Sequence, residues 1–212
     1  MFRRLRTLLA LAAATAGVLV GTAGSAEAAP VPEDRDHCAI VLERGNPIPV
    51  RSGCFSDFRA EVRWLTEGAV TDAPRDRDAA LADAALTGRL RTAQGTLFAT
   101  DDERANYALI ATEYEHENYG GASADVWGDG TCSNVLPVAE FSVARVGHLN
   151  PPPGQGFPWW NDRITSFRSY AGCLANHWQH DNWLGSNTGY RGPEVANIGE
   201  SMNDETSSIQ WT

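Results

Sequence analysis

Asn203-Asp204-Glu205-Thr206-Ser207-Ser208 has a near copy forty-two residues earlier, Asn161-Asp162-Arg163-Ile164-Thr165-Ser166. Each copy packs an amide, a carboxylate and at least two hydroxyls into six residues. A donor set made only of oxygens suits a hard cation such as Ca²⁺ and does not suit zinc. One such hexapeptide would carry little weight, because Asn, Asp, Ser and Thr gather in ordinary turns for backbone reasons. The duplication is the signal.

A second duplicated pattern precedes each copy. Tyr114-Glu115-His116-Glu117-Asn118-Tyr119-Gly120-Gly121 lies upstream of the first and Trp178-Gln179-His180-Asp181-Asn182-Trp183-Leu184-Gly185 upstream of the second. Both read aromatic, four residues, aromatic, one residue, Gly. On these four elements the chain resembles the βγ-crystallin family, whose Greek key unit carries an aromatic hairpin of this spacing followed by an (N/D)(N/D)xx(S/T)S turn. The resemblance spans Tyr107 to Trp211 and is silent on the first hundred residues. It implies two units in tandem forming one double Greek key sandwich, with each cation held across the pair. The implied metal ligands are Asp162 or Asn161, Thr165 and the Arg163 carbonyl, and Asp204 or Asn203, Ser207 and the Glu205 carbonyl. Further carbonyls are implied near Glu115 and Gln179, while Ser166 and Ser208 are expected to hydrogen-bond rather than ligate. Arg163 puts a cation beside one site and is expected to weaken it.

The residues themselves support an all-β C-terminal half. Beyond Tyr107 helical periodicity vanishes, turn residues become frequent, and six of the seven Trp fall between Trp127 and Trp211. Strands are expected through Trp178, through Tyr190, over Phe141–Val146 and over Ile209–Trp211. The first unit is the longer: thirty-nine residues separate Gly121 from Asn161, against seventeen between Gly185 and Asn203. The excess holds Cys132 and the stretch Pro151-Pro152-Pro153-Gly154-Gln155-Gly156-Phe157-Pro158-Trp159-Trp160, a stiff loop of a length that is often functional.

The N-terminus reads as a secretory signal peptide over residues 1–28: Arg3, Arg4 and Arg6, an apolar run from Leu8 to Val20, then small residues ending in Ala26-Glu27-Ala28. The run is too short for a membrane span. The mature chain then carries 14 basic and 26 acidic side chains, a formal charge of about −12, with no Lys. That balance disfavours nucleic acid and anionic membranes as partners. Four Cys in an exported chain imply two disulfides with three possible connectivities; locality favours Cys38 with Cys54 and leaves Cys132 with Cys173.

Residues 29–104 read as a small α+β region ahead of the domain at 105–212, so that the chain is α+β overall. After a polar arm at 30–36, a hairpin is expected from Cys38–Leu42 and Ile48-Pro49-Val50 around Gly45-Asn46-Pro47. Ser56 is expected to cap a helix over Asp57–Thr66 that buries Phe58, Val62 and Leu65 and stops at Gly68. A second helix is expected over Pro74–Gly88 with Leu81, Ala84 and Ala85 inward. Asp101-Asp102-Glu103 reads as a solvated junction. No catalytic chemistry is found in this region, nor any catalytic motif elsewhere.

His177 and His180, three apart on a strand, face opposite ways and do not form a metal pair. His116 and His180 occupy matching hairpin positions, which points to a shared structural role. Three readings of function follow: a secreted, non-enzymatic, monomeric Ca²⁺-binding protein; a secreted inhibitor of an extracellular (metallo)protease, acting through the loop between Cys132 and Trp160; and a toxin or lectin that meets a glycan through an exposed Trp159 and Trp160. A platform of Trp178, Trp183 and Trp211 is a further candidate for sugar, against a core role.

Overall fold

The computed structural model describes residues 37–97, 107–149 and 160–212. The stretch expected to be a signal peptide, the arm at 30–36, Asp101-Asp102-Glu103 and Pro151 to Trp159 lie outside the described residues. In chain order the strands are β1 (His37–Leu42), β2 (Arg51–Phe55), β3 (Ala108–His116), β4 (Gly120–Gly128), β5 (Phe141–Val143), β6 (Ser166–Ser169), β7 (Ala175–His180), β8 (Leu184–Asn187), β9 (Glu194–Val195) and β10 (Ser208–Trp211). The helices are α1 (Phe58–Leu65), α2 (Arg77–Ala82) and α3 (Ala84–Leu97), with single 3₁₀ turns at Glu117–Tyr119 and Val146–Leu149. The fold is α+β, with a β-sandwich carried by the C-terminal half.

One sheet runs β2-β1-β4-β3-β6-β9 and the other β5-β10-β7-β8. Each crystallin-like unit contributes three strands to one sheet and lends its third strand to the other. Thus β5 of the first unit pairs with β10, and β9 of the second pairs with β6. The exchange interlocks the units. Their facing sides bury Ile110, Phe141, Trp160, Phe167, Ile209 and Trp211 in one core. Fully buried within it, Glu113 Oε2 and His177 Nε2 meet at 2.9 Å, and Phe167 packs on the imidazole with ring centroids 4.6 Å apart. His180 is exposed, so the two histidines of β7 do face opposite ways.

Both aromatic hairpins take the same unusual path. Asn118, Tyr119 and Gly121 have φ of 56°, 66° and 74°, and Asn182, Trp183 and Gly185 have 57°, 60° and 80°. The glycines are required by contact as well as by φ. A Cβ on Gly121 would lie 2.8 Å from the His116 ring, and one on Gly185 would lie 2.9 Å from the His180 ring. The matched histidines therefore have the shared role expected of them, as the surfaces on which these glycines rest.

The N-terminal hairpin extends the first sheet. Strand β1 pairs antiparallel with β2, Cys38 opposite Cys54, and on its other side runs parallel to β4. Both expected disulfides are formed, Cys38–Cys54 and Cys132–Cys173. Strand β2 starts only at Arg51: Ile48-Pro49-Val50 stays in the connection, because Pro49 has no N–H to give a ladder. Helix α1 buries Phe58, Val62 and Leu65 as expected, but its cap is Asp57, whose carboxylate accepts from Ala60 N, rather than Ser56. The second expected helix is two. Asp83 interrupts it by turning its carboxylate back to the N–H groups of Ala85 and Leu86. This break rotates the inward face: Ala80, Leu86 and Leu90 are buried, Leu81 is half-buried, and Ala84 and Ala85 are exposed. Two strands are shorter than expected, β5 ending at Val143 and β8 at Asn187.

Candidate metal centres

The strand exchange brings the two Asn-Asp turns against each other. Asp162 and Asp204 each adopt positive φ, 58° and 54°, a region Asp tolerates. Asp162 N donates to Thr206 O at 3.1 Å, and Asp204 N to Ile164 O at 3.4 Å. These crossed bonds aim each carboxylate at the other turn's hydroxyl. Thr165 Oγ1 lies 3.2 Å from Asp204 Oδ1, and Ser207 Oγ lies 3.4 Å from Asp162 Oδ1.

The two side chains of each Asn-Asp pair differ in what they contact. Asn161 donates its amide to Asp162 Oδ2 at 2.7 Å, and Asn203 donates to Asp204 Oδ2 at 3.3 Å. The amides brace the carboxylates, and the carboxylates face across. Ser166 donates to His116 O at 2.6 Å and accepts from Tyr119 N at 3.1 Å; Ser208 donates to His180 O at 2.6 Å and accepts from Trp183 N at 3.0 Å. The sixth-position serines thus clamp turn to hairpin.

The third positions differ. Arg163 forms an ion pair with Glu115 of the first hairpin, whereas Glu205 accepts a 3.4 Å hydrogen bond from Gln179 of the second. Both turns border one surface cleft of about 460 Å³, whose lining includes Asp162, Arg163, Thr165, Asn203, Asp204 and Glu115. In the Asp162 cradle, partial burial pushes the carboxyl pKa up; Ser207 and Asn161 pull it back, and the Glu205 and Asp181 charges add to the rise. Of these acids, Asp181 has a cationic partner, Arg145, at 3.2 Å.

These residues fit a hard divalent ion. Every donor is an oxygen, two carboxylates stand opposite hydroxyls rather than cations, and the buried Asn203 Oδ1 has no hydrogen-bond partner. An acceptor left open beside a second carboxylate is the kind of atom an ion would satisfy.

Two other sequence expectations are corrected. Trp160 is 1 % exposed and packs in the sandwich core, so it cannot meet a glycan. Trp211 is likewise buried while Trp178 and Trp183 are half-buried, so the three form no common platform. An exposed apolar element lies instead on the connection after Cys132, where Val135, Leu136 and Val138 are 55–60 % exposed.

The region in which the sequence showed no chemistry contributes a buried polar cluster. His37 at the start of β1 contacts Glu61 of α1 through Nε2 and lies 3.4 Å from Asp125 of β4. Arg77 Nε reaches Asp125 Oδ2 at 2.8 Å. Burial, with the Asp125 charge, pushes the Glu61 carboxyl up to about 7 against the pull of His37 and Trp127. For His37, burial opposes the charged ring, but Glu61 and Asp125 outweigh it and the pKa is raised. The signal in the sequence was Glu61 itself, a carboxylate on the helix face shared with Phe58, Val62 and Leu65.

No family model and no curated protein matches this chain. Solved structures similar to it are bacterial βγ-crystallin domains, each matched over about half of this chain. The domain from Flavobacterium johnsoniae is 27% identical, at a TM-score of 0.34, over 49% of this chain and 93% of that one. The domain from Clostridium beijerinckii is 24% identical, at 0.34, over 48% and 95%. A double mutant of clostrillin in complex with nickel is 23% identical, at 0.35, over 49% and 98%.

Proposed function

We propose that this chain is a secreted, non-enzymatic calcium-binding protein with two sites, one in each cradle between the paired turns. The observation that carries the reading is the reciprocal geometry: each turn presents its own carboxylate to the hydroxyl of the other. The first site draws on Asp204, Thr165 and the Arg163 carbonyl, the second on Asp162, Ser207 and the Glu205 carbonyl, with Asn161 and Asn203 supporting. Calcium supplies charge neutralisation and cross-bracing there. The chain's own part is to hold the oxygens in place and to bury Thr165 and Ser207 so that their hydroxyls have few competing partners. With one or two carboxylates per site, affinity is expected at about 10⁻⁶ M or weaker. Calorimetric titration with Ca²⁺ is expected to give two equivalents for the wild type and one each for Asp162→Asn and Asp204→Asn. A stoichiometry that neither substitution changes would defeat the assignment.

A second reading, inhibition of an extracellular metalloprotease, is favoured by the loop carrying Val135, Leu136 and Val138. Disulfide Cys132–Cys173 anchors one end of this loop, and Glu140 N fixes the other by donating to Trp211 O at 2.8 Å. A braced convex apolar loop is a shape that enters a concave cleft without a large ordering cost. Protein stripped of calcium beforehand should then still inhibit a thermolysin-like protease, and Leu136→Asp should abolish inhibition. No inhibition at micromolar protein would remove this reading.

A further inference from the structure

The cluster at His37 turns one imidazole nitrogen and two carboxylates toward a common point. The ligand atoms of His37, Glu61 and Asp125 all lie within 4.8 Å of one another. The outer oxygen of each carboxylate has its own donor: Trp127 Nε1 gives its proton to Glu61 Oε1 at 2.6 Å, and the Thr112 hydroxyl gives its proton to Asp125 Oδ1 at 2.6 Å. Glu61 Oε2 and Asp125 Oδ2 are thereby turned toward His37 Nε2. On the far side of the imidazole, Ser123 Oγ lies 3.0 Å from Nδ1. A proton on Nδ1 donated to that hydroxyl leaves the Nε2 lone pair aimed between two carboxylate oxygens. Outer partners of this kind orient ligands around a metal ion.

Charge and access refine the picture. Arg77 lies alongside, with Nε 2.8 Å from Asp125 Oδ2 and Nη2 2.8 Å from both Ser123 Oγ and His37 Nδ1. Placing the ring proton on Nδ1 gives up the Nη2–Nδ1 hydrogen bond, since both atoms are then donors, and the two lone pairs of Ser123 Oγ take one proton from each. Two carboxylates, Arg77 and a divalent ion sum to one positive charge. One small anion would cancel it. His37 and Arg77 both line a surface cleft of about 460 Å³, which gives such an anion its route.

We propose that His37, Glu61 and Asp125 form an open three-ligand site for a transition-series divalent cation of the zinc type, with a fourth position that takes a small anion beside Arg77. Three ligands with an open position match the ligand number of reactive zinc sites, and imidazole nitrogen and carboxylate oxygen are both zinc donors. Calcium, which takes six to eight oxygens, is poorly served by the same set. The site shares no residue with the two Asn-Asp turns and differs from them in donor type, so either can be absent without the other.

The test uses Co²⁺ as the spectroscopic probe on the full chain held in saturating Ca²⁺, so that any calcium sites are filled. One equivalent of Co²⁺ is expected to give a visible absorption band that shifts on adding azide and disappears on adding Zn²⁺. His37→Ala and Glu61→Gln are expected to weaken Co²⁺ binding at least tenfold while keeping the calcium stoichiometry. The Asp162→Asn/Asp204→Asn double variant should bind Co²⁺ normally. Arg77→Met provides the check if the ligand variants fail to fold: it should bind Co²⁺ more tightly and respond less to azide. Absence of a cobalt band, a band that survives His37→Ala, or an azide response unchanged in Arg77→Met would each overturn the proposal.

Discussion

At the turn around Asp162 and at the turn around Asp204 the same positive φ, the same crossed hydroxyl and the same serine clamp recur, yet the third residue is Arg163 in one and Glu205 in the other. The repeated features are those that set the path of the chain. Each is tied to a steric or hydrogen-bond requirement that admits few residues. The third position makes its side-chain contact outward to the hairpin, so its charge can change sign without moving the backbone. Under the calcium reading proposed above, fold and cation affinity are carried by different atoms of one hexapeptide, and they can be broken separately.

The largest effect is expected where both units share a steric requirement. Gly121→Ala and Gly185→Ala should each destabilise by about 2–3 kcal/mol, since both positive φ and the histidine contact are violated. Denaturant titration checks this, and a large loss at only one glycine would break the equivalence of the hairpins. Next come the clamps: Ser166→Ala and Ser208→Ala each strand a hairpin carbonyl and an N–H, and should cost about 2 kcal/mol by the same measurement. Of the same order, site by site, is the stabilisation by calcium. A hundredfold excess over the dissociation constant is worth about 2.7 kcal/mol per site, so EDTA should lower the melting midpoint of the wild type, and Asp162→Asn or Asp204→Asn should each remove about half of that difference. Equal midpoints in EDTA and in millimolar Ca²⁺ would contradict the calcium reading.

The smallest effect sharpens the contrast most. Arg163→Gln should strengthen binding in the Asp204 cradle by about threefold, and Glu205→Gln should weaken the Asp162 cradle by a similar factor, because a solvent-screened unit charge a few ångströms away is worth well under 1.4 kcal/mol. Calorimetry on single-site variants separates the two. If both substitutions act alike, the third residue does not set the difference.

What was legible in the sequence was local. The hexapeptides and hairpins announce themselves because positive φ at Asn118 and Asn182, and the close approach at Gly121 and Gly185, can be met by few residue types. The paired disulfides followed from proximity along the chain. Where contacts come from afar, the sequence was silent. Nothing near Asp83 says that its carboxylate will end one helix and begin another, since the same residue on an exposed face would be neutral. Trp160 reads as a loop tip beside its prolines and yet fills the sandwich core. The His37 cluster is assembled from β1, α1, α2 and β4, and no one of these segments carries a pattern. Only Glu61, out of place among apolar neighbours, hinted at it.

The parallel seating of His37–Leu42 along Ser123–Gly128 has a consequence for how the chain is made. Strand β1 has its hairpin partner at hand, but its inner neighbour is 86 residues away, as His37 and Ser123 mark. Closing so long a loop adds little to the equilibrium cost, because that cost grows only logarithmically with length, but it delays the event. The β1–β2 hairpin must therefore wait for an edge that lies much later in the chain. A nascent chain halted before Gly128 would present it without a berth.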